Sequence, residues 1–279
     1  MVDRMGAPRL ELDGRQVRAR LLPGRGTNGG YSLVVEGTTQ SHVNPRDPLD
    51  LQLEYTRLIA SVIDGCREPR IPLRVLHLGA GGLTVPRYVG AARPGSVQHV
   101  VELHRELFEF VLDTLPLDDG VELTVEFDDG RAAVERSVHT SGGYDVAIVD
   151  VFSGSVSPRH MSTAEFFTEL RRLLAPDGVV VVNTLATAGL AMSREVGATL
   201  ASILPEVLAL AAPDVFADAS LGNVVYAASA APLDLDALAR FANAGLEGTG
   251  LRPIDVLRGP ALDAFVDGAP VRHDDDPLD

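Results

Sequence analysis

The sequence predicts an α/β fold: a doubly wound, mostly parallel sheet preceded by a small N-terminal antiparallel β-unit. Three observations carry that expectation. After Pro72, apolar runs of strand length alternate with segments of helical period, the pattern of a parallel sheet covered on both faces. Four of those runs end in polar residues or glycine, as strands do when they deliver side chains to a ligand-binding rim. Before Pro72 the pattern is different, with short alternating segments separated by Gly, Pro and Asp.

In the β-unit, 10–12 is a strand, Asp13-Gly14 a turn and 17–22 a second strand. A Gly/Pro-rich loop over 23–30 then leads to a third strand at 31–36. Residues 50–64 put Leu51, Leu53, Tyr55, Leu58, Ile59, Val62 and Ile63 at helical spacing, and Gly65 ends the run. This helix joins the β-unit to the main domain. The main domain takes strands at 74–78, 97–101, 121–127, 144–149 and 179–183, with 224–228 as a late addition. Helices fall at 84–91, 105–115, 131–138, 163–174, 190–203 and 233–244. The expected boundaries are 1–48 for the β-unit, 49–270 for the main domain and 271–279 for an acidic, flexible tail.

Composition narrows the chemistry. With 24 basic against 39 acidic residues and a formal net charge of -15, the chain offers no broad surface for nucleic acid or anionic lipid, so a small-molecule ligand is expected. Every basic residue is Arg; without Lys there is no P-loop cation, Schiff base or Lys general base. Cys66 stands alone, so no intrachain disulfide or CxxC site can form. No apolar run approaches the ~20 residues of a membrane span, and the first twenty residues lack the apolar core of a signal peptide, so a cytoplasmic protein is expected. The seven histidines show no HxH or HExxH spacing, and His77 inside a strand reads as a core residue.

The strand ends hold the candidate site. Strand 74–78 runs into Gly79-Ala-Gly-Gly82, where glycines allow close backbone approach and the next helix offers free N–H groups; a tight strand-to-helix turn needs glycine as well. The second strand ends in Glu102, about 20 residues beyond Gly79, where a carboxylate can accept from both hydroxyls of a ribose, or can serve only as a strand end or helix cap. The third ends in Asp128-Asp129-Gly130, with one carboxylate able to cap the following helix and the other able to accept from an adenine amino group. The fourth delivers Asp150, a proton acceptor or amine ligand in one reading and a loop anchor in the other. Tyr55 reads equally as core or as substrate contact, and Gln40 as a strand end or a site residue.

In order and spacing these features resemble the class I methyltransferase-type, Rossmann-like nucleoside fold and, within it, the spermidine synthase (polyamine aminopropyltransferase) family. The likeness runs over 31–228 through Val35-Glu-Gly-Thr-Thr-Gln-Ser41, Tyr55-Thr-Arg57, Gly79 to Gly82, Glu102, Asp129-Gly130, Asp150 and Leu173-Leu-Ala-Pro-Asp-Gly178. The resemblance implies decarboxylated S-adenosylmethionine, or S-adenosylmethionine itself, as co-substrate with no permanently bound cofactor and no metal. It sets the donor over Gly79 and Gly81, its ribose on Glu102 and its adenine near Asp129 and Gly130. Gln40 is counted with the donor-binding residues, and a polyamine nitrogen, deprotonated with help from Asp150 and positioned near Tyr55, attacks the carbon beside the sulfonium. A homodimer formed partly through the β-unit is also implied. This sequence departs from the family pattern at Gly82 and Ser153, where acidic residues are usual, and at Thr56, where Gln or His is usual. Two further readings stand beside aminopropyl transfer: a small-molecule methyltransferase using the same nucleoside pocket, and a non-catalytic nucleoside-binding homologue that has lost its acceptor site. Dinucleotide oxidoreduction fits less well, because Gly79-Ala-Gly-Gly-Leu-Thr84 lacks the third glycine of GxGxxG.

Overall fold

The computed structural model of the chain describes residues 9–277 except 13, 25–28, 138–142, 153–156 and 245–250. Strands β1 (Arg9–Leu12), β2 (Arg15–Pro23), β3 (Tyr31–Val35) and β4 (Thr38–Val43) form an antiparallel meander in chain order. Their period-two alternation gathers Leu10, Leu12, Ala19 and Leu33 into one cluster, which closes over Leu107 and Val111 of the main domain. A four-stranded sheet with so few apolar residues has little core of its own, so this shared cluster fixes where the β-unit sits.

Helix α1 (Glu54–Gly65) leads into the main domain. Its elements are β5 (Arg74–Leu78), α2 (Thr84–Ala92), β6 (Val97–Glu102), α3 (Arg105–Thr114), β7 (Glu122–Phe127), α4 (Gly130–Ser137) and β8 (Tyr144–Val149). A 3-10 turn at Arg159–Met161 precedes α5 (Ala164–Arg172), β9 (Leu174–Ala186), α6 (Ala191–Ile203), β10 (Glu206–Ala211) and α7 (Pro213–Phe216). The chain continues through β11 (Gly222–Ser229), α8 (Leu235–Ala242), β12 (Asp255–Leu257) and α9 (Pro260–Val266). The sheet order is β12-β10-β11-β9-β8-β5-β6-β7. From β7 to β9 all pairings are parallel, and β11, β10 and β12 add on antiparallel. The expected mostly parallel, doubly wound sheet is what forms.

The central strands are buried on both faces, which is why they read as continuous apolar runs rather than alternating ones. Chain order reverses at β5: β6 and β7 lie on one side of it, β8 and β9 on the other. A crevice therefore opens over the carboxyl ends of β5 and β8, where Gly79 and Asp150 begin their loops.

Three differences from the sequence reading have physical causes. Glu206–Ala211, within a stretch that counted only as apolar, is β10; a short run buried on both faces carries no period to separate strand from helix. Strand β9 begins well before 179 and ends after 183, because pairing with both β8 and β11 extends it. The tail was expected to be solvated and flexible, yet its described part, 271–277, packs back on the molecule. Arg272 is only 7% exposed and pairs with Glu195; its N–H donates to Thr199 Oγ1 at 3.0 Å and its carbonyl accepts from Ala164. Asp274 meets Arg131, and His273 meets Glu165 at 2.9 Å. Composition marked the tail as acidic but could not reveal that its one arginine has a partly buried carboxylate to meet.

Candidate active site

The glycine turn after β5 is shaped by what crowds it. Gly79 has φ +91°, and a Cβ there would lie 2.4 Å from the Asp150 carbonyl oxygen; Gly81 has φ +49° and its Cβ would lie 2.7 Å from Ser41 Oγ. Both need glycine, for conformation and for space. At position 82 the obstacle is the β-unit, since a Cβ would lie 2.9 Å from both Ser41 Cβ and Val43 Cγ2 of β4. The Gly82 N–H donates to Ser41 Oγ at 2.9 Å, and Thr84 Oγ1 donates to the His42 carbonyl at 2.9 Å. Strand β4 thus walls the turn, and the glycine at 82 follows from that wall.

Glu102 ends β6 with 8% of its surface exposed. Its Oε2 accepts the Ala80 N–H and its Oε1 the His104 N–H, each at 2.8 Å. The structure therefore brings Glu102 to the glycine turn, with one backbone donor on each oxygen and further lone pairs on both.

Asp129 behaves first as a helix cap. Its Oδ1 accepts from the N–H groups of Arg131 at 3.0 Å and Ala132 at 3.1 Å, and its Oδ2 meets His160 Nε2 at 2.9 Å. Burial alone would raise this carboxyl, but the hydrogen bonds from His160, Ala132 and Arg131 outweigh it and hold the group below the usual carboxylate range. Gly130 is buried, and a Cβ on it would lie 2.5 Å from Met161 Cε, so its smallness serves packing against the 3-10 turn.

Across the crevice the chemistry changes. Asp150 has its N–H on the Leu78 carbonyl at 3.0 Å, while its Oδ1 accepts from Asn183 Nδ2 at 2.8 Å. Burial pushes its carboxyl up to about 6, against the lowering effect of the Asn183 amide. Tyr55, in the first turn of α1, donates its hydroxyl to the Gln40 carbonyl at 3.3 Å. Burial first, and then the charge of Asp150, raise the phenol far above its ordinary value and keep it protonated. Gln40 thus enters through its backbone.

Ser41, Tyr55, His77, Gly79, Thr84 and Asp150 all line one cleft of about 300 Å³, its open mouth included. His77 is buried against Gln98 Oε1 at 2.9 Å, and burial lowers its ring to about 4, so it is neutral near pH 7. Among the described lining residues Asp150 is accordingly the one ionisable group that titrates near neutrality, and none of them is Arg. Among the described residues no cluster of His, Cys, Asp and Glu is arranged to hold a metal ion, and no helix is long and apolar enough to cross a membrane.

Thr56 turns back to the Leu53 carbonyl at 2.7 Å instead of reaching the cleft, and Ser153 lies outside the described residues. Sequence reasoning missed Ser41, His160, Asn183 and Asn223, whose Nδ2 donates to Asn183 Oδ1 at 3.0 Å. The signal for Asn183 was present, since it is the first polar side chain after four valines at 179–182 in a strand otherwise buried on both faces.

No family model matches the sequence. Over 145 residues the chain is 28% identical to the polyamine aminopropyltransferase of Vibrio vulnificus, covering 52% of this chain and 48% of that protein. The chain spans about half the length of the curated relatives it matches. The crystal structure of a probable spermidine synthase from Corynebacterium glutamicum superposes with a TM-score of 0.84 at 26% identity, covering 97% of each chain. Human methyltransferase-like protein 13 in complex with SAH shares the fold, with a TM-score of 0.58 at 20% identity over 80% of this chain and 96% of that one. In sequence the chain is similar, at a distance, to polyamine aminopropyltransferases, and its fold is similar to that of spermidine synthases and of a methyltransferase.

Proposed function

We propose that the chain is an aminopropyltransferase that moves the aminopropyl group of decarboxylated S-adenosylmethionine to an amine. In this reading the nucleoside lies over Gly79 and Gly81, Glu102 accepts from the ribose hydroxyls and the adenine reaches toward Asp129 and Gly130. The acceptor nitrogen approaches between Asp150 and Tyr55. Its lone pair attacks the carbon bonded to the sulfonium, the carbon–sulfur bond breaks, the electron pair stays on sulfur as neutral methylthioadenosine, and the nitrogen's proton passes to Asp150.

The observation that carries the reading is a carboxylate raised to about 6 by burial, with an amide rather than a cation beside it, at the switch point of the sheet. Such a group is unprotonated often enough near neutrality to take a proton and basic enough to hold it. The cleft lining also favours the decarboxylated donor over S-adenosylmethionine. The intact molecule ends in a carboxylate, for which the described lining has no arginine, and a buried anion without a partner is costly. The sequence and structural likenesses to aminopropyltransferases and spermidine synthases support the same choice. A homodimer through the β-unit, a polyamine acceptor and a cytoplasmic location complete the reading.

The test offers the protein decarboxylated and intact S-adenosylmethionine in parallel, each with a panel of mono-, di- and polyamines. Methylthioadenosine release from the decarboxylated donor is expected. S-adenosylhomocysteine release from the intact one would establish methyl transfer instead, and nucleoside binding without release of either would leave a binding protein.

A further inference from the structure

Three neighbouring strands carry a row of polar side chains across the sheet. Asp150 follows β8, Asn183 lies in β9 opposite Val225 of β11, and Asn223 stands two residues before Val225 in β11. Asn223 Nδ2 donates to Asn183 Oδ1 at 3.0 Å, and Asn183 Nδ2 donates to Asp150 Oδ1 at 2.8 Å. The direction of the row is dictated by its end. An ionised carboxylate only accepts, so Asn183 must present its amino group to Asp150 and its carbonyl to β11, where a donor is then required. Asn183 is 2% exposed, so water is a poor substitute for that donor.

We propose that Asn223 is a positioning residue of this site: through Asn183 it locks the amide that donates to Asp150 Oδ1, leaving Oδ2 as the oxygen that takes up a proton. The assignment of that proton to the attacking amine rests on the transferase reading above, whereas the locked amide and its effect on Asp150 do not. The other titratable side chains lining the same cleft are Tyr55 from α1 and His77 from β5, both neutral near pH 7. The segment that follows Asp150, 151–158, contains no charged residue, so the amide row is the polar control on Asp150 that the strands supply.

The experiment follows the Asp150 carboxyl carbon by NMR through a pH titration of the ligand-free protein, with Asp150→Asn used for assignment. The wild-type midpoint is expected at about 6. Asn223→Leu removes the donor that orients Asn183 and should raise the midpoint by about one unit, the value of one hydrogen bond to a charged group. Asn223→Asp should raise it further, because the new carboxylate draws the Asn183 amino group to itself and turns the carbonyl toward Asp150. Asn223→Gln, which keeps the donor, should lie closest to wild type and serves as the folding-competent variant if Asn223→Leu does not fold. A merely structural role predicts lower melting temperatures without this order of shifts. An unchanged midpoint in Asn223→Asp, or in a folded Asn223→Leu, or a shift in Asn183→Leu that neither of those variants reproduces, overturns the proposal. If the protein turns over, the acidic limb of its kcat profile should move with the NMR midpoint while nucleoside KM holds. Absence of turnover with every amine would overturn the transferase reading and leave the titration result standing.

Discussion

The two halves of the crevice hold their carboxylates by different means. On the half that holds Glu102 and Asp129, both carboxylates accept from backbone N–H groups of nearby turns, at 2.8 Å for Glu102 and 3.0–3.1 Å for Asp129. On the other half, Asp150 has one side-chain amide from a different strand, and it shares its cleft with apolar residues and the uncharged side chains of Ser41, Tyr55, His77 and Thr84. The His160 hydrogen bond, joined by the backbone donors, stabilises the charge and holds Asp129 below the ordinary range, while burial with only one amide donor puts Asp150 above it. The same residue type is thus held ionised on one side and lifted toward neutral pH on the other.

The contrast breaks most sharply at Asp150. Asp150→Asn removes the proton acceptor and keeps the shape, so methylthioadenosine release should fall by about 10²–10⁴-fold while nucleoside affinity, measured by calorimetry, stays near wild type. The reverse pattern is expected at Glu102. Glu102→Ala leaves the Ala80 and His104 N–H groups without their acceptor and removes the ribose contact, weakening methylthioadenosine binding by about 2–3 kcal/mol, some 30–150-fold. Unchanged affinity in that variant would remove the ribose from Glu102.

A smaller effect tests the wall between the halves. Gly82→Asp drives a side chain into Ser41 and Val43 and should cost about 1–3 kcal/mol in urea unfolding, with part recovered by Val43→Ala in the same chain. The smallest effect concerns pH. Because the folded-state carboxyl of Asp150 lies above its unfolded value, the folded protein binds the extra proton between about 3.8 and about 6, and stability falls as pH rises through that window. Asp150→Asn should therefore melt higher than wild type at pH 8, by an amount of about 0.5–2 kcal/mol typical of relieving a strained site, and the gap should close below pH 4. An equal gap at both pH values would locate the effect elsewhere.

How much was legible follows the same division. Gly79, Gly81, Glu102 and Asp150 were visible because each ends a strand whose apolar pattern is local, and the distance from the glycine turn to Glu102 is the length of one strand–helix–strand unit. The two readings left open at Asp129 meet in one residue: one oxygen caps α4 and the other is taken by His160, which lies 31 positions further along the chain. Tyr55 and Gln40 were visible as residues but not as partners, since the contact runs from a hydroxyl to a backbone carbonyl that no side-chain pattern records.

The sequence by itself determined the strand and helix units of the main domain from β5 to α6, the rim glycines and the carboxylates at the strand ends, because these depend on neighbours within a turn or a strand's length. Only the tertiary structure decided that β4 would press against Gly82, that Arg272 would reach Glu195, and that Asn223, Asn183 and Asp150 would meet across β11, β9 and β8. Those contacts join residues 33 to 77 positions apart. They exist because the sheet order places particular strands side by side and burial leaves their polar atoms no solvent to turn to.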